Sequence, residues 1–192
     1  MKVFYINPDS YSARREGIEK TALSISPDIQ RVITNEIYDG IILTVCRAHL
    51  KALNEILNAN TFPCILLEDD AAPIKPLPDI EWPQCDIIYL GGSTCGTGTR
   101  IEPYNKDFYR VFNMLSFHAV MFTNIGGVKR TILSVESAIQ NKCYNDVQIA
   151  LNSEEYLYLT PKDGLYLFFC WHKNKCCCLS FLIRTYFLSQ SR

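Results

Sequence analysis

Hydrophobic residues in this chain fall into short runs and helical stripes. Residues 2–7 read as a buried strand, stopped by Pro8, which cannot donate to a β-ladder. Asp9 or Ser10 can cap a helix over residues 11–23, with Ile18, Ala22 and Leu23 on one face and Pro27 closing it. Residues 31–34 read as a second short strand. A helix over 43–57 follows, because Leu43, Cys46, Leu50, Leu53 and Leu57 recur at helical spacing. After Pro63, Cys64-Ile65-Leu66-Leu67 is uninterrupted and apolar, the pattern of a central parallel strand covered on both faces. It ends abruptly in Glu68-Asp69-Asp70.

Beyond a proline-rich connection, residues 86–90 form another buried strand that runs into Gly91-Gly92. Residues 109–112 and 118–122 read as two strands separated by a turn. Asn124 caps a helix reaching Ala138, Asn145 a shorter one to Leu151, and 156–160 and 165–169 are late strands. Strands alternating with helices in the first half predict an α/β sandwich around a mostly parallel sheet. The chain has 192 residues, enough for one domain with a real core. That domain is expected over residues 1–170, with a cysteine-rich apolar tail over 171–192. Residues 176–188 are too short and interrupted to span a membrane. They read either as a last element packed on the domain or as a membrane-surface foot acylated at Cys176-Cys177-Cys178.

Composition narrows the partners. The formal net charge is −1, so no global basic field recruits nucleic acid or an anionic membrane. The nine cysteines are odd in number and contain no C-x-x-C pair, and the N-terminus has no apolar stretch of signal-peptide length. Reduced thiols in a cytoplasmic protein, with peripheral membrane contact through the tail as the variant, are the expectation.

The acidic triplet carries the chemistry. Adjacent carboxylates repel, and each raises the cost of ionising the next. A hard divalent cation removes that cost and shares its remaining positions with phosphate. Ligands of open α/β sheets bind outside the carboxyl ends of the strands, where this triplet sits. An isolated acidic turn is the plain alternative.

The stretch from Gly40 to Leu53, with Ala48-His49-Leu50 inside it, followed by Ile65-Leu66-Leu67-Glu68-Asp69-Asp70, resembles the lipooligosaccharide and collagen galactosyltransferases of glycosyltransferase family 25. Ile6-Asn7 with Arg14-Arg15 is similar to that family's opening motif, and Asp86-Ile87-Ile88-Tyr89-Leu90-Gly91 to its D-x-x-x-L-G strand. His118-Ala119-Val120-Met121-Phe122 and Tyr144-Asn145-Asp146-Val147 are similar to two later segments. The family's serine before the histidine is Ala48 here. The resemblance spans roughly residues 2 to 160. It implies a GT-A fold, a nucleotide-sugar donor (usually UDP-linked), and metal-dependent transfer of galactose or glucose to a carbohydrate or protein hydroxyl, with Mn²⁺ or Mg²⁺ as cofactor.

Roles follow from that resemblance. Asp70 is the expected direct metal ligand, with Glu68 or Asp69 completing the set or reaching the donor ribose, and His172 a late further ligand. Ile6 and Asn7 lie where a GT-A fold binds the nucleotide; Asn7 can equally form an Asx-turn. Arg14 or Arg15 can pair with phosphate or stay solvated. His49 is a donor-pocket residue or a buried structural histidine. Asp146 is the candidate general base for the acceptor hydroxyl, or a helix N-terminal acid. His118 and the Gly91-Gly92 segment are placed on the acceptor side. Two rivals remain: a catalytically inactive GT-A module that binds sugar or nucleotide, and a metal-dependent phosphohydrolase. The second is disfavoured because Asp86 opens its strand instead of ending it.

Overall fold

A computed structural model describes residues 1–35, 38, 40–93, 100–112, 115–140, 157–163 and 167–169. The order is β1 (Lys2–Ile6), a 3-10 turn (Asp9–Tyr11), α1 (Ser12–Ile25), β2 (Ile29–Val32), α2 (Ile41–Ala59), β3 (Cys64–Leu67), β4 (Ala71–Pro73), β5 (Ile87–Ser93) and β6 (Arg100–Pro103). Then come β7 (Phe108–Phe112), β8 (Leu115–Phe122), α3 (Ile125–Gln140), β9 (Tyr158–Pro161) and β10 (Leu167–Phe169).

Eight strands form one sheet in the order β2-β1-β3-β8-β5-β9-β7-β6, and β10 pairs with β4 in a separate ribbon. Following the pairings across the sheet, β2, β1, β3, β5, β9 and β6 point one way, and only β8 and β7 are reversed. Most strands therefore share one direction, in keeping with the α/β sheet the sequence predicts, and the sheet is a mixed one because β8 is inserted antiparallel between β3 and β5 and β7 between β9 and β6.

Side-chain alternation divides the core into two layers. Phe4 and Ile6 of β1 and Cys64 and Leu66 of β3 pack with Cys46, Leu53 and Ile56 of α2 and Val128 and Val135 of α3. Val3, Tyr5, Ile65 and Leu67 face the other way, onto Ile18 and Ala22 of α1. All four residues of β3 are buried, which explains the continuous apolar run. Burial of Ile65, Leu66 and Leu67 contributes roughly 1.5–3 kcal/mol each.

Several expectations need correction. Leu23 is 54% exposed and does not share the buried face of Ile18 and Ala22. Asp9 lies in the 3-10 turn, and α1 has no side-chain cap. The Asp9 carboxylate is instead drawn to Arg31 at 2.7 Å, Arg15 at 3.2 Å and the Asn35 amide. β5 runs past the expected strand end at residue 90, through Gly91 and Gly92 to Ser93. β4 and β6 are elements the sequence pattern did not announce.

Asn124 does cap α3: its Oδ1 accepts from Gly127 N–H at 3.1 Å, and its amide donates to the Cys85 carbonyl at 2.7 Å. Asp86 accepts from the Leu157 N–H at 2.9 Å and pairs with Arg130, so it fastens β5 to β9 and α3. Cys46, Cys64 and Cys85 are buried and outside any disulfide. Among the described residues no helix is long and apolar enough to cross a membrane. The expected helix at 145–151, the tail at 171–192, Asp146 and His172 lie outside the described residues.

Candidate functional site

β1 and β3 are adjacent and parallel, with Tyr5 opposite Leu67, so Asn7 and the acidic triplet leave the sheet side by side. The ladder between β3 and β8 extends to Glu68, whose N–H donates to the His118 carbonyl at 2.8 Å, and β3 then ends in a turn in which the Ala71 N–H donates back to the Glu68 carbonyl at 3.1 Å. That turn sends the chain into β4. The antiparallel strand β8 brings His118 to the same level, since Ala119 pairs with Leu67. The inward face of α2 delivers His49 from above the sheet.

The three carboxylates have different surroundings. Glu68 lies between two histidines: His118 Nδ1 is 2.5 Å from Oε2, and His49 Nε2 is 3.1 Å from Oε1. His49 Nδ1 meets the Val45 carbonyl at 3.0 Å, so both ring nitrogens face oxygen acceptors. Phe117 packs edge-on against the same ring.

Asp69 is also fully engaged. Arg14 Nη1 reaches its Oδ1 at 3.0 Å, and the Asn7 amide donates to its Oδ2 at 3.2 Å. Among the described residues Asp70 has Arg14, 3.6 Å from Oδ2, and its Oδ1 is buried without a hydrogen-bond partner.

The titration behaviour follows from these contacts. Burial alone would push Glu68 up, but hydrogen bonds from His118 and His49 outweigh it and hold the carboxyl well below the usual range. Asp70 moves the opposite way. Burial, then the charge of Glu68, raise it to about 7, with Asp69 adding and His118 and Arg14 opposing. A carboxylate this costly to ionise, with an orphaned oxygen, fits a cation. Glu68, Asp70 and His118 each offer a ligand atom, and these atoms lie within 4.8 Å of one another. Two oxygens and one imidazole nitrogen suit a divalent ion such as Mn²⁺.

The remaining candidates are distributed around this centre. The Asn7 amide also donates to the Tyr11 carbonyl at 3.2 Å, so the residue turns the chain and braces the triplet at once. Arg15 contacts Asn7 Oδ1 at 3.4 Å and Asp9, one shell farther out than Arg14. Ile6 has its side chain in the α2-side core. Gly91 pairs with Ala119 at an irregularity in β5, placing Gly91 and Gly92 two strands from the triplet. His118, expected toward the acceptor, sits directly on Glu68. Arg31, which sequence reasoning did not single out, donates to the Asn7 carbonyl at 2.9 Å and fixes the end of β1. It arrives there through the parallel pairing of β2 with β1, opposite Tyr5, which no local sequence signal marks.

No family model and no curated protein matches the sequence. Among solved structures, the chain is similar to a glycosyltransferase involved in the glycosylation of the major capsid of PBCV-1, with a TM-score of 0.52 and 10% identity over 89% of this chain and 94% of that one. A197 from STIV is matched at a TM-score of 0.46 and 17% identity, covering 86% and 82% of the two chains. The nucleoside-diphosphate-sugar pyrophosphorylase from Vibrio cholerae RC9 is matched at 0.41 and 14%, covering 83% and 72%. The first of these likenesses shows a shared α/β fold.

Proposed function

We propose that this chain is a metal-dependent GT-A glycosyltransferase, akin to glycosyltransferase family 25, that transfers galactose or glucose from a UDP-linked donor to a carbohydrate or protein hydroxyl. The observation that carries this reading is the buried Oδ1 of Asp70, without a hydrogen-bond partner among the described residues and set beside Glu68 and His118 at the carboxyl end of β3. The fold shared with a glycosyltransferase supports it.

In this reading Asp70 is the principal metal ligand, with the Glu68–His118 pair on its flank, and Mn²⁺ suits the mixed oxygen and nitrogen set better than Mg²⁺. The ion, when bound, offsets the charge that develops on the leaving diphosphate. Asn7 and Arg14 hold Asp69 in place beside the donor, and Arg15 steadies Asn7. Ile6, whose side chain is in the core, can reach a donor only through its backbone. His49 holds Glu68 from the helix side.

Asp146 is proposed as the acceptor base and His172 as a further ligand. β10 supports the latter: Phe169 pairs with Ala71, so the chain leaves that strand next to Asp70, three residues before His172. Residues 1–170 form the transferase domain in this account, with the tail as a peripheral membrane contact.

A donor-hydrolysis screen over UDP-, GDP- and CMP-sugars, with and without Mn²⁺, tests the assignment. Mn²⁺-dependent hydrolysis of a UDP-sugar is expected. UDP binding that is indifferent to Mn²⁺, with no hydrolysis of any donor, would instead identify an inactive binding module.

A further inference from the structure

α1 opens with two cations in its first turn, Arg14 and Arg15, although the helix dipole disfavours positive charge there. Carboxylates account for Arg14. The 3-10 turn carries the chain from β1 into α1 beside the end of β3, and Arg14 reaches two aspartates at once. Its Nη1 donates to Asp69 Oδ1 at 3.0 Å and lies 3.6 Å from Asp70 Oδ2. The guanidinium also rests on the Tyr11 ring, 5.1 Å from its centre, which restrains it in this position.

The arrangement fixes how many oxygens are open to an ion. Asp69 has both engaged, Oδ1 by Arg14 and Oδ2 by the Asn7 amide at 3.2 Å. Asp70 turns Oδ2 to Arg14, and its buried Oδ1 is the oxygen with no hydrogen-bond partner among the described residues. Divalent ions differ in what they ask of such a carboxylate. Ca²⁺ takes roughly six to eight oxygens and often both oxygens of one carboxylate. A smaller octahedral ion is satisfied by one or two carboxylates and fills its shell with water and phosphate. The positive charge of Arg14 repels every dication alike, so the charge cannot choose among them. The oxygen that Arg14 withholds can.

We infer that Arg14 is a specificity-determining residue for the metal: by holding Asp70 Oδ2 it confines Asp70 to one ligand oxygen, and so disfavours Ca²⁺ against a smaller ion such as Mn²⁺. The inference rests on the reading of Asp70 as the metal ligand and adds the residue that sets which ion enters. Tyr11 backs the guanidinium, and Asn7 keeps Asp69 where Arg14 can meet both acids.

Separate calorimetric titrations of Mn²⁺ and Ca²⁺ into the full chain, without nucleotide, test it. The parent should bind Mn²⁺ at least about tenfold more tightly than Ca²⁺. Arg14→Met keeps an apolar stem on Tyr11 and removes the donors, so Asp70 can offer both oxygens. The preference for Mn²⁺ should then shrink about tenfold, the low end of what an outer-shell partner contributes to metal binding. Arg14→Lys keeps a cationic donor, and its preference should fall between those of the parent and Arg14→Met. A purely supporting role would weaken both ions together and leave their ratio unchanged. Mn²⁺ binding by the parent with no preference over Ca²⁺, an undiminished preference in Arg14→Met, or a smaller one in Arg14→Lys than in Arg14→Met would overturn the inference while leaving Asp70 as a metal ligand. No Mn²⁺ binding by the parent would overturn both.

Discussion

His118 Nδ1 lies 2.5 Å from Glu68 Oε2 and joins β8 to the end of β3, while His49 approaches the other oxygen of the same carboxylate from α2. Glu68 is thereby the point at which a helix and two antiparallel strands converge. Glu68→Gln keeps the shape but loses the charge, and its amide nitrogen can only donate where a histidine also donates. Loss of this charge-assisted pairing should cost about 1.5–3 kcal/mol in urea unfolding without added metal. An unchanged unfolding midpoint would show that the histidines do not hold Glu68.

Asp70 supplies the pH dependence. Its folded value of about 7 stands above the ordinary 3.8, so the neutral form is favoured by folding. Its contribution to stability is present in full below the unfolded value and is lost as pH rises through about 7. A cation requires the ionised form, so the gain in melting temperature on adding Mn²⁺ should grow with pH and level off above about 7. Asp70→Asn should remove both the gain and its pH dependence. A gain that is flat across this range in the parent protein would contradict the placement of the metal on Asp70.

Much of this was legible in the sequence. The four-residue apolar run of β3 marked a strand buried on both faces, and the acids that follow it could only lie at its carboxyl end. The stripe of α2 and the Asn124 cap of α3 were equally plain. Long-range pairing was not. His118 reaches Glu68 only because β8 runs antiparallel beside β3, and strand order has no local signal. Asp9 looked like a helix cap, yet the nearby cations of Arg15 and Arg31 outcompete the helix N-terminus for its carboxylate. β4 escaped notice because Ala71–Pro73 is short and proline-ended, and it is a strand through its partner β10.

Gly127 brings α3 against the backbone of Asp86, which leads into β5. A Cβ at this position would stand 2.1 Å from the Asp86 carbonyl oxygen, which is backbone and cannot swing aside. Gly127→Ala should therefore destabilise the fold by about 1–3 kcal/mol or more, with Mn²⁺ affinity of the folded fraction unchanged. A variant as stable as the parent would mean that α3 and β5 are not packed this closely.

Asp146→Ala separates base from cap. As the acceptor base, Asp146 acts on the attacking hydroxyl and does not touch the diphosphate, so transfer should slow by roughly a hundredfold to ten-thousandfold with UDP binding intact. A lower melting temperature with unchanged turnover would make Asp146 a helix-terminal acid.

If the triplet holds a cation against a nucleotide diphosphate through Asp70, UDP binding must depend on both the metal and that carboxylate. Calorimetric titration of UDP into the parent protein and into Asp70→Asn, each with and without Mn²⁺, measures this. UDP should bind strongly to the parent only with Mn²⁺, and weakly to the variant with or without it, while both proteins keep the same circular dichroism spectrum. UDP binding that ignores Mn²⁺ in the parent, or that survives in Asp70→Asn at parental affinity, would show that Asp70 holds no such cation.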